Sequence, residues 1–429
     1  MKLPTIIRPA AACAAAVVLA ACASSSTSSS GGGGSTSSSG SGSGSGPVTY
    51  GVLSCFTGRL ASLGQAMSQG SQVAVSEINS AGGVLGRKLQ LVTGDTSCDV
   101  ADGVTAVNQM LTKNISGVIG PETQEINGVE PILDASHIVD EFQGGDTARD
   151  HQTDPFFFRD SPSDSQLGVA MALYGHLQHY TKAVMLFYSD PAAQTFLKPV
   201  SDTFTKLGGT ILSSVTVTPD QTSYVSQVRA VIALHPQVIF TQEDPPTAAV
   251  LFREFKQLGG GNIPWIGTDV TSGSDFLKAI GYGTAHSVLT SVYGTSVTGA
   301  ANDAFISLFN TLFPSQKTAG PLANANYAYD SVISLALADD YAKTLDGTTV
   351  AHDMTKVTNP PGTACYTYAT CLALIKAGTK INYEGASGDL DYNTYNNTFG
   401  PYGAFQANAA GTEEQMYVMS AAALGAATP

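Results

Sequence analysis

Past residue 48, short β-prone apolar runs alternate with longer stretches in which apolar side chains recur every three or four positions, the two spacings that mark strands and one-faced helices. Residues 49–54 (TYGVLS) form the first run, and Met67, Val73, Ala74, Val75 and Ile78 then predict a helix over 63–80 that stops at Gly82-Gly83. Residues 88–94 (KLQLVTG) read as a second strand, 100–113 as a helix through Val104, Val107 and Leu111, and 117–120 (GVIG) as a third strand. The pattern then restarts. Helices over 167–180, 193–207, 224–234 and 248–258 alternate with strands over 183–188, 210–218, 237–241 and 264–267. Strands separated by helices imply parallel sheets, and the restart implies a second α/β lobe. Residues 287–293 read as a crossover, 302–313, 324–344 and 372–377 as further helix, and 416–420 as a late strand.

The amino terminus departs from this pattern. Lys2 and Arg8 precede an apolar run over 10–20 (AAACAAAVVLA) that is too short for a permanent bilayer span and reads as a secretory signal. Its end, Leu19-Ala20-Ala21-Cys22, resembles the lipobox of bacterial lipoproteins, in which the cysteine is lipidated after cleavage; residues 1–22 are therefore expected to be leader and lipobox, with lipid on Cys22. Residues 24–46 contain only Ser, Thr and Gly. Such a segment cannot bury surface, so 23–47 is expected to be a tether, with an r.m.s. span of roughly 25 Å.

Composition narrows the function classes. The 429 residues carry 20 Lys and Arg against 34 Asp and Glu, a formal charge of −14, which disfavours duplex nucleic acid because phosphate binding needs clustered cations. Setting aside Cys13 and Cys22 leaves Cys55, Cys98, Cys365 and Cys371. An even number in an exported chain suggests disulfides. Cys55 and Cys98 each follow a predicted strand and Cys365 and Cys371 are close enough to staple one loop, so the expected pairs are Cys55–Cys98 and Cys365–Cys371.

Catalytic patterns are sparse. There is no HExxH, no GxSxG and no Walker loop. Asp389-Leu390-Asp391-Tyr392-Asn393 begins like a calcium loop, but Thr394 stands where Gly is needed and Gly400 where Glu is needed. His176 and His179 lack a third ligand and are read as helix-end residues, and Asp95, Asp99 and Asp102 as caps. A non-enzymatic protein with no metal and no cofactor is expected.

Several ordered motifs point to one family. Thr57-Gly58 through Gly64, Glu77-Ile78-Asn79-Ser80-Ala81-Gly82-Gly83-Val84-Leu85-Gly86-Arg87-Lys88-Leu89, Val118-Ile119-Gly120-Pro121, Phe158-Arg159 with Pro162-Ser163-Asp164, Ala328-Tyr329-Asp330-Ser331, and Gly385-Ala386-Ser387-Gly388 with Leu390-Asp391 follow one another along the chain. Together they resemble the branched-chain amino-acid type of periplasmic solute-binding protein, type I, over about residues 48–420. The resemblance implies two Rossmann-like lobes, each a parallel sheet flanked by helices, joined by three hinge crossovers. It places lobe 1 at 48–164 plus 294–380 and lobe 2 at 165–293 plus 381–429. It also implies a small-molecule ligand between the lobes, an ABC permease with its ATPase as partners, and a monomer anchored outside the cytoplasm through Cys22.

Ligands of open α/β sheets bind beyond the carboxyl ends of the strands, where helix amino termini can hold a carboxylate. Carried over by resemblance, the carboxylate grip falls on Thr123 and Gln124 and on Gly145 and Thr147, the ammonium partner on Asp269 with Glu243 or Asp244 beside it, and the side-chain wall on Leu63. Two departures bear on the substrate. Glu122-Thr123-Gln124-Glu125 replaces a serine-rich loop, and Ala192-Ala193 stand where an aromatic side chain often closes. Glu122, Glu243, Asp244 and Asp269 near the expected cleft favour a cationic or polyhydroxy ligand over a simple anion. A sensor lipoprotein using the same cleft, and a hydrolase on a related scaffold, are the alternative classes.

Overall fold

A computed structural model describes residues 46–295 and 299–429. The leader, lipobox and most of the tether expected over 1–47 lie outside the described residues.

The first alternating stretch folds into five strands: β1 (Val48–Ser54), β2 (Leu89–Asp95), β3 (Gly117–Ile119), β4 (Val139–Glu141) and β5 (Phe157–Phe158). They lie in the order β2-β1-β3-β4-β5, every pairing parallel. The second stretch supplies β6 (Lys182–Tyr188), β7 (Thr210–Val217), β8 (Val238–Gln242), β9 (Trp265–Gly267) and β10 (Leu289–Gly294). After a return to the first lobe, where β11 (Thr363–Cys365) pairs with β12 (Ile381–Tyr383), the chain adds β13 (Tyr402–Ala407) and β14 (Glu413–Met419) to the second sheet. The order there is β14-β13-β10-β9-β8-β6-β7, parallel except for the last two strands, which run antiparallel. Each sheet anchors its own large hydrophobic cluster. The fold is thus the two-lobed α/β arrangement with helices between strands.

Local chemistry explains the elements. On the Ala61–Ser80 helix the buried positions include Ala66, Met67, Gly70, Val73, Ala74, Glu77 and Ile78, spaced to form one stripe. That stripe meets the Ala325–Ala342 helix so closely that a Cβ on Gly70 would lie 1.9 Å from the Ala325 carbonyl oxygen. Glu77 locks the junction. Tyr329 donates its hydroxyl to one Glu77 oxygen, and the Tyr368 N–H donates to the other at 2.7 Å. Asp330, on the same helix, accepts from the Tyr383 hydroxyl at 2.7 Å, from the N–H groups of Ala386 and Ser387 at 2.9 and 2.6 Å, and from the Ser387 hydroxyl at 2.5 Å. Disulfides join Cys55 to Cys98 and Cys365 to Cys371.

Three sequence expectations are corrected. Residues 287–293 do not form a crossover: β10 occupies Leu289–Gly294, because Leu289 and Val292 bury into the second core beside β9. Nor does the chain re-enter the second lobe at 381. Ile381, Tyr383, Leu390 and Tyr392 belong to the first core, and the second sheet is rejoined only at Tyr402. The helix expected over 193–207 is broken at Phe196 into Pro191–Thr195 and Leu197–Lys206.

The crossovers lie side by side. The Arg159 N–H donates to the Asn396 carbonyl at 2.9 Å, the Thr398 N–H to the Arg159 carbonyl at 3.0 Å, and the Thr295 N–H to the Pro401 carbonyl at 3.2 Å. Arg159 is 1% exposed, and its guanidinium donates to Asn397 Oδ1 at 2.6 Å, to the Asp146 carbonyl at 3.1 Å and to Asp150 Oδ1 at 2.5 Å. A fully paired buried guanidinium fixes the geometry of the segment around it.

Candidate functional site

The carboxyl ends of β1, β3 and β4 in the first sheet and of β6, β8 and β9 in the second lead into the segments that line one cavity of about 60 Å³. The first lobe contributes Leu63, Ala66 and Met67 from the start of the Ala61–Ser80 helix, Glu122, Thr123 and Gln124 after β3, and Gln143, Gly144 and Gly145 after β4. Across from these stand Asp164 at the first turn of the Asp164–Leu177 helix, Ala192 and Phe196 after β6, Gln242 at the end of β8, and Asp269 and Val270 after β9. Asn324, preceding the Ala325–Ala342 helix, completes the lining.

Three side-chain contacts tie the lobes together around this space. Gln124 Nε2 donates to Asp190 Oδ1 at 3.1 Å, Asn324 Nδ2 donates to Asp269 Oδ2 at 2.6 Å, and Arg59 Nη1 pairs with Asp244 Oδ2 at 3.1 Å. The backbones also approach closely. A Cβ on Gly144 would lie 2.5 Å from the Thr123 backbone nitrogen, which leaves no room for a side chain, and one on Gly145 would lie 1.8 Å from Asp164 Oδ1 and displace that carboxyl.

The cavity is unusually acidic. Burial pushes the Glu122 carboxyl well above the ordinary carboxylate range; the Glu125 and Asp269 charges add to this, and the Ser54 hydroxyl, donating at 2.9 Å, opposes it. Burial likewise raises Asp164 well above that range, with the Asp269 charge adding and the Thr195 hydroxyl at 2.6 Å opposing. Asp269 is raised by burial against the bond from Asn324, and Asp190 is raised by burial against those from Ala192 N–H and Gln124. Behind them Glu125 is pushed up to about 7, again by burial.

Of the residues singled out in the sequence, Leu63, Thr123, Gln124, Gly145 and Asp269 come together as cavity lining. Thr147, Glu243 and Asp244 are not among the lining residues. Thr147 opens the short turn Thr147–Arg149, whose cap is Asp146. Asp244 caps the Pro245–Gln257 helix through the Thr247 N–H at 2.8 Å. Glu243 is fully buried beneath the surface, with Thr241 Oγ1 3.4 Å from one of its oxygens. Sequence reasoning missed Ala66, Met67, Gln143, Gly144, Asp164, Phe196, Gln242, Val270 and Asn324 as lining. Phe196 was findable: it stands four positions after Ala192 and supplies the aromatic wall absent there, backed by Phe187 at 6.2 Å.

A family model described as periplasmic binding protein matches residues 47–423. The Leu/Ile/Val-binding protein BraC3 of Rhizobium johnstonii is 37% identical over 79 residues, which are 18% of this chain; the match spans about a fifth, 22%, of that relative's length. Among solved structures, a leucine binding protein LivK from Thermotoga maritima superposes with a TM-score of 0.73 at 17% identity, covering 87% of this chain and 99% of that one. A solute-binding protein of an ABC transporter from R. palustris, in complex with benzoate, gives 0.72 at 15% identity, covering 90% and 97%. At these identities the superpositions speak to the fold alone. Among the described residues no helix is long and apolar enough to cross a membrane.

Proposed function

Because the chain belongs to the periplasmic binding protein family, whose members work outside the cytoplasm, we propose that it captures a small polar solute, an amino acid, an amide or a related compound, and delivers it to an ABC permease and its ATPase. The observation that carries this reading is the cavity itself, lined from both lobes and lying beyond the carboxyl ends of both sheets, where open α/β folds bind ligands. Arg59–Asp244, Gln124–Asp190 and Asn324–Asp269 are contacts that a closing cleft would make and an opening one would break. The names of BraC3 and LivK, Leu/Ile/Val-binding and leucine binding, favour an amino-acid-like solute. Lipid on Cys22 and a Ser/Gly tether over 23–47 would hold a monomeric body beside the membrane while leaving it free to meet the permease. The body acts by binding, without catalysis.

A thermal-shift screen of the refolded chain against amino acids, amides, amines, sugars and aromatic acids tests this. One chemical class is expected to stabilise the protein by about 2.7 kcal/mol at a hundredfold excess over Kd. No stabilisation by any class would count against solute capture.

A further inference from the structure

We infer that the solute is a small organic cation whose protonated nitrogen sits among the carboxyl groups of Glu122, Asp164 and Asp269. This rests on the solute-binding reading and moves its ligand away from the amino acids that the relatives' names favour. The three acids reach one cavity from three separate elements, the loop after β3, the first turn of the Asp164–Leu177 helix and the turn after β9. Glu122 is 5% and Asp164 6% exposed. None of the described residues lining the cavity is Lys, Arg or His.

The partners these acids do have are neutral. Ser54 donates to Glu122, Thr195 to Asp164 and Asn324 to Asp269. Such donors satisfy lone pairs without supplying positive charge. The nearby cations are committed elsewhere: Arg59 lies 3.1 Å from Asp244 and 3.8 Å from Asp220, and Arg159 is held by Asp150, Asn397 and the Asp146 carbonyl. Glu125 and Asp190 add further acid behind the lining. With no lysine, arginine or histidine in the lining, a carboxylate ligand finds no cationic side chain there, whereas a cation pairs with these acids as they ionise.

The cavity also suits the carbon part of such a cation. Leu63, Met67 and Phe196 offer an apolar wall for its methylenes.

Proton linkage gives a second signature. Burial holds Glu122 and Asp164 above the ordinary range, so the empty site retains protons that a cation must displace. The groups facing them are Ser54 and Glu125 around Glu122, Thr195, Asp146 and Arg159 around Asp164, and Asn324, Thr268, Tyr293 and Tyr327 around Asp269. Affinity for a cation should therefore rise with pH.

The test is calorimetry on the full chain, unfolded and refolded to strip carried solute, at pH 6 and pH 8, with three probes of similar size, 1,4-diaminobutane, L-alanine and propionate, and with the larger L-leucine. The diamine is expected to bind at least about tenfold more tightly than the others, more tightly at pH 8 than at pH 6, and with proton release. Glu122→Gln and Asp164→Asn should each weaken it by about tenfold or more while the empty variants melt close to the parent, since the amide replaces a carboxyl that already carries its proton there. Tighter binding of alanine, propionate or leucine than of the diamine would overturn the inference and leave solute capture standing. So would unchanged diamine affinity in both variants. Binding of none of the four, together with a blank thermal-shift screen, would overturn both.

Discussion

Asp330→Ala is expected to lower the unfolding free energy by about 4 kcal/mol, from roughly 1 to 3 kcal/mol for each buried donor left unmatched, reduced by partial relaxation. Asp330 is fully buried, and four donors converge on its two oxygens: the Tyr383 hydroxyl, the Ala386 and Ser387 N–H groups and the Ser387 hydroxyl. Tyr383 and Ala386 belong to the first core, so loosening this loop loosens the lobe just before its last crossover. Urea denaturation at pH 7 reads the effect. A loss below about 1 kcal/mol would show that the donors find other partners.

Stability is expected to be higher near pH 5 than near pH 8, contrary to the behaviour of proteins held together by ion-paired carboxylates. Burial raises Glu125 from 4.5 to about 7 and Asp330 from 3.8 to about 6, even though hydrogen bonds from neighbours oppose both shifts. Between the unfolded and folded values the native state binds the extra proton, so the unfolding free energy falls as pH rises. Each of these two groups is worth about 3 kcal/mol across its window, roughly pH 4 to 7, at about 1.4 kcal/mol per unit. Glu122, Asp140, Glu141, Asp160, Asp164, Glu243 and Asp339 are raised in the same direction, burial being the leading cause for each. Asp95 runs the other way: burial pushes it up, but bonds from Thr57, Ser97 and Phe56 hold it below its usual range. A melting temperature that is flat or rising between pH 5 and pH 8 would contradict this.

The strands that lie in apolar runs, such as β1, β6 and β8, were legible from the sequence because every position in them but Lys182 is buried and most are apolar. β4 was not, because two of its three residues are acids, Asp140 and Glu141, whose burial no hydropathy pattern discloses. The helix Ile126–Ala135 hid for a related reason: it contains Pro131 and buries Glu130 on its inner face. The return of 381–392 to the first lobe depends on Tyr383 and Tyr392 reaching Asp330 and Glu141, pairings between positions far apart in the chain that local reading cannot see. At the site, residues directly following a strand, such as Thr123, Gln124 and Asp269, could be placed by topology. Asn324 could not, since it reaches the cavity from a left-handed position ahead of a helix whose packing is set by the tertiary fold.

The most direct measurement compares the thermal-shift screen in the parent chain and in Leu63→Trp, which grows a large side chain into the cavity from the half-buried start of the Ala61–Ser80 helix. The solute class that raises the parent's melting temperature is expected to leave Leu63→Trp unshifted, while the empty variant melts close to the parent. An equal shift in both proteins would place the binding site elsewhere, and contradict a solute held between the lobes.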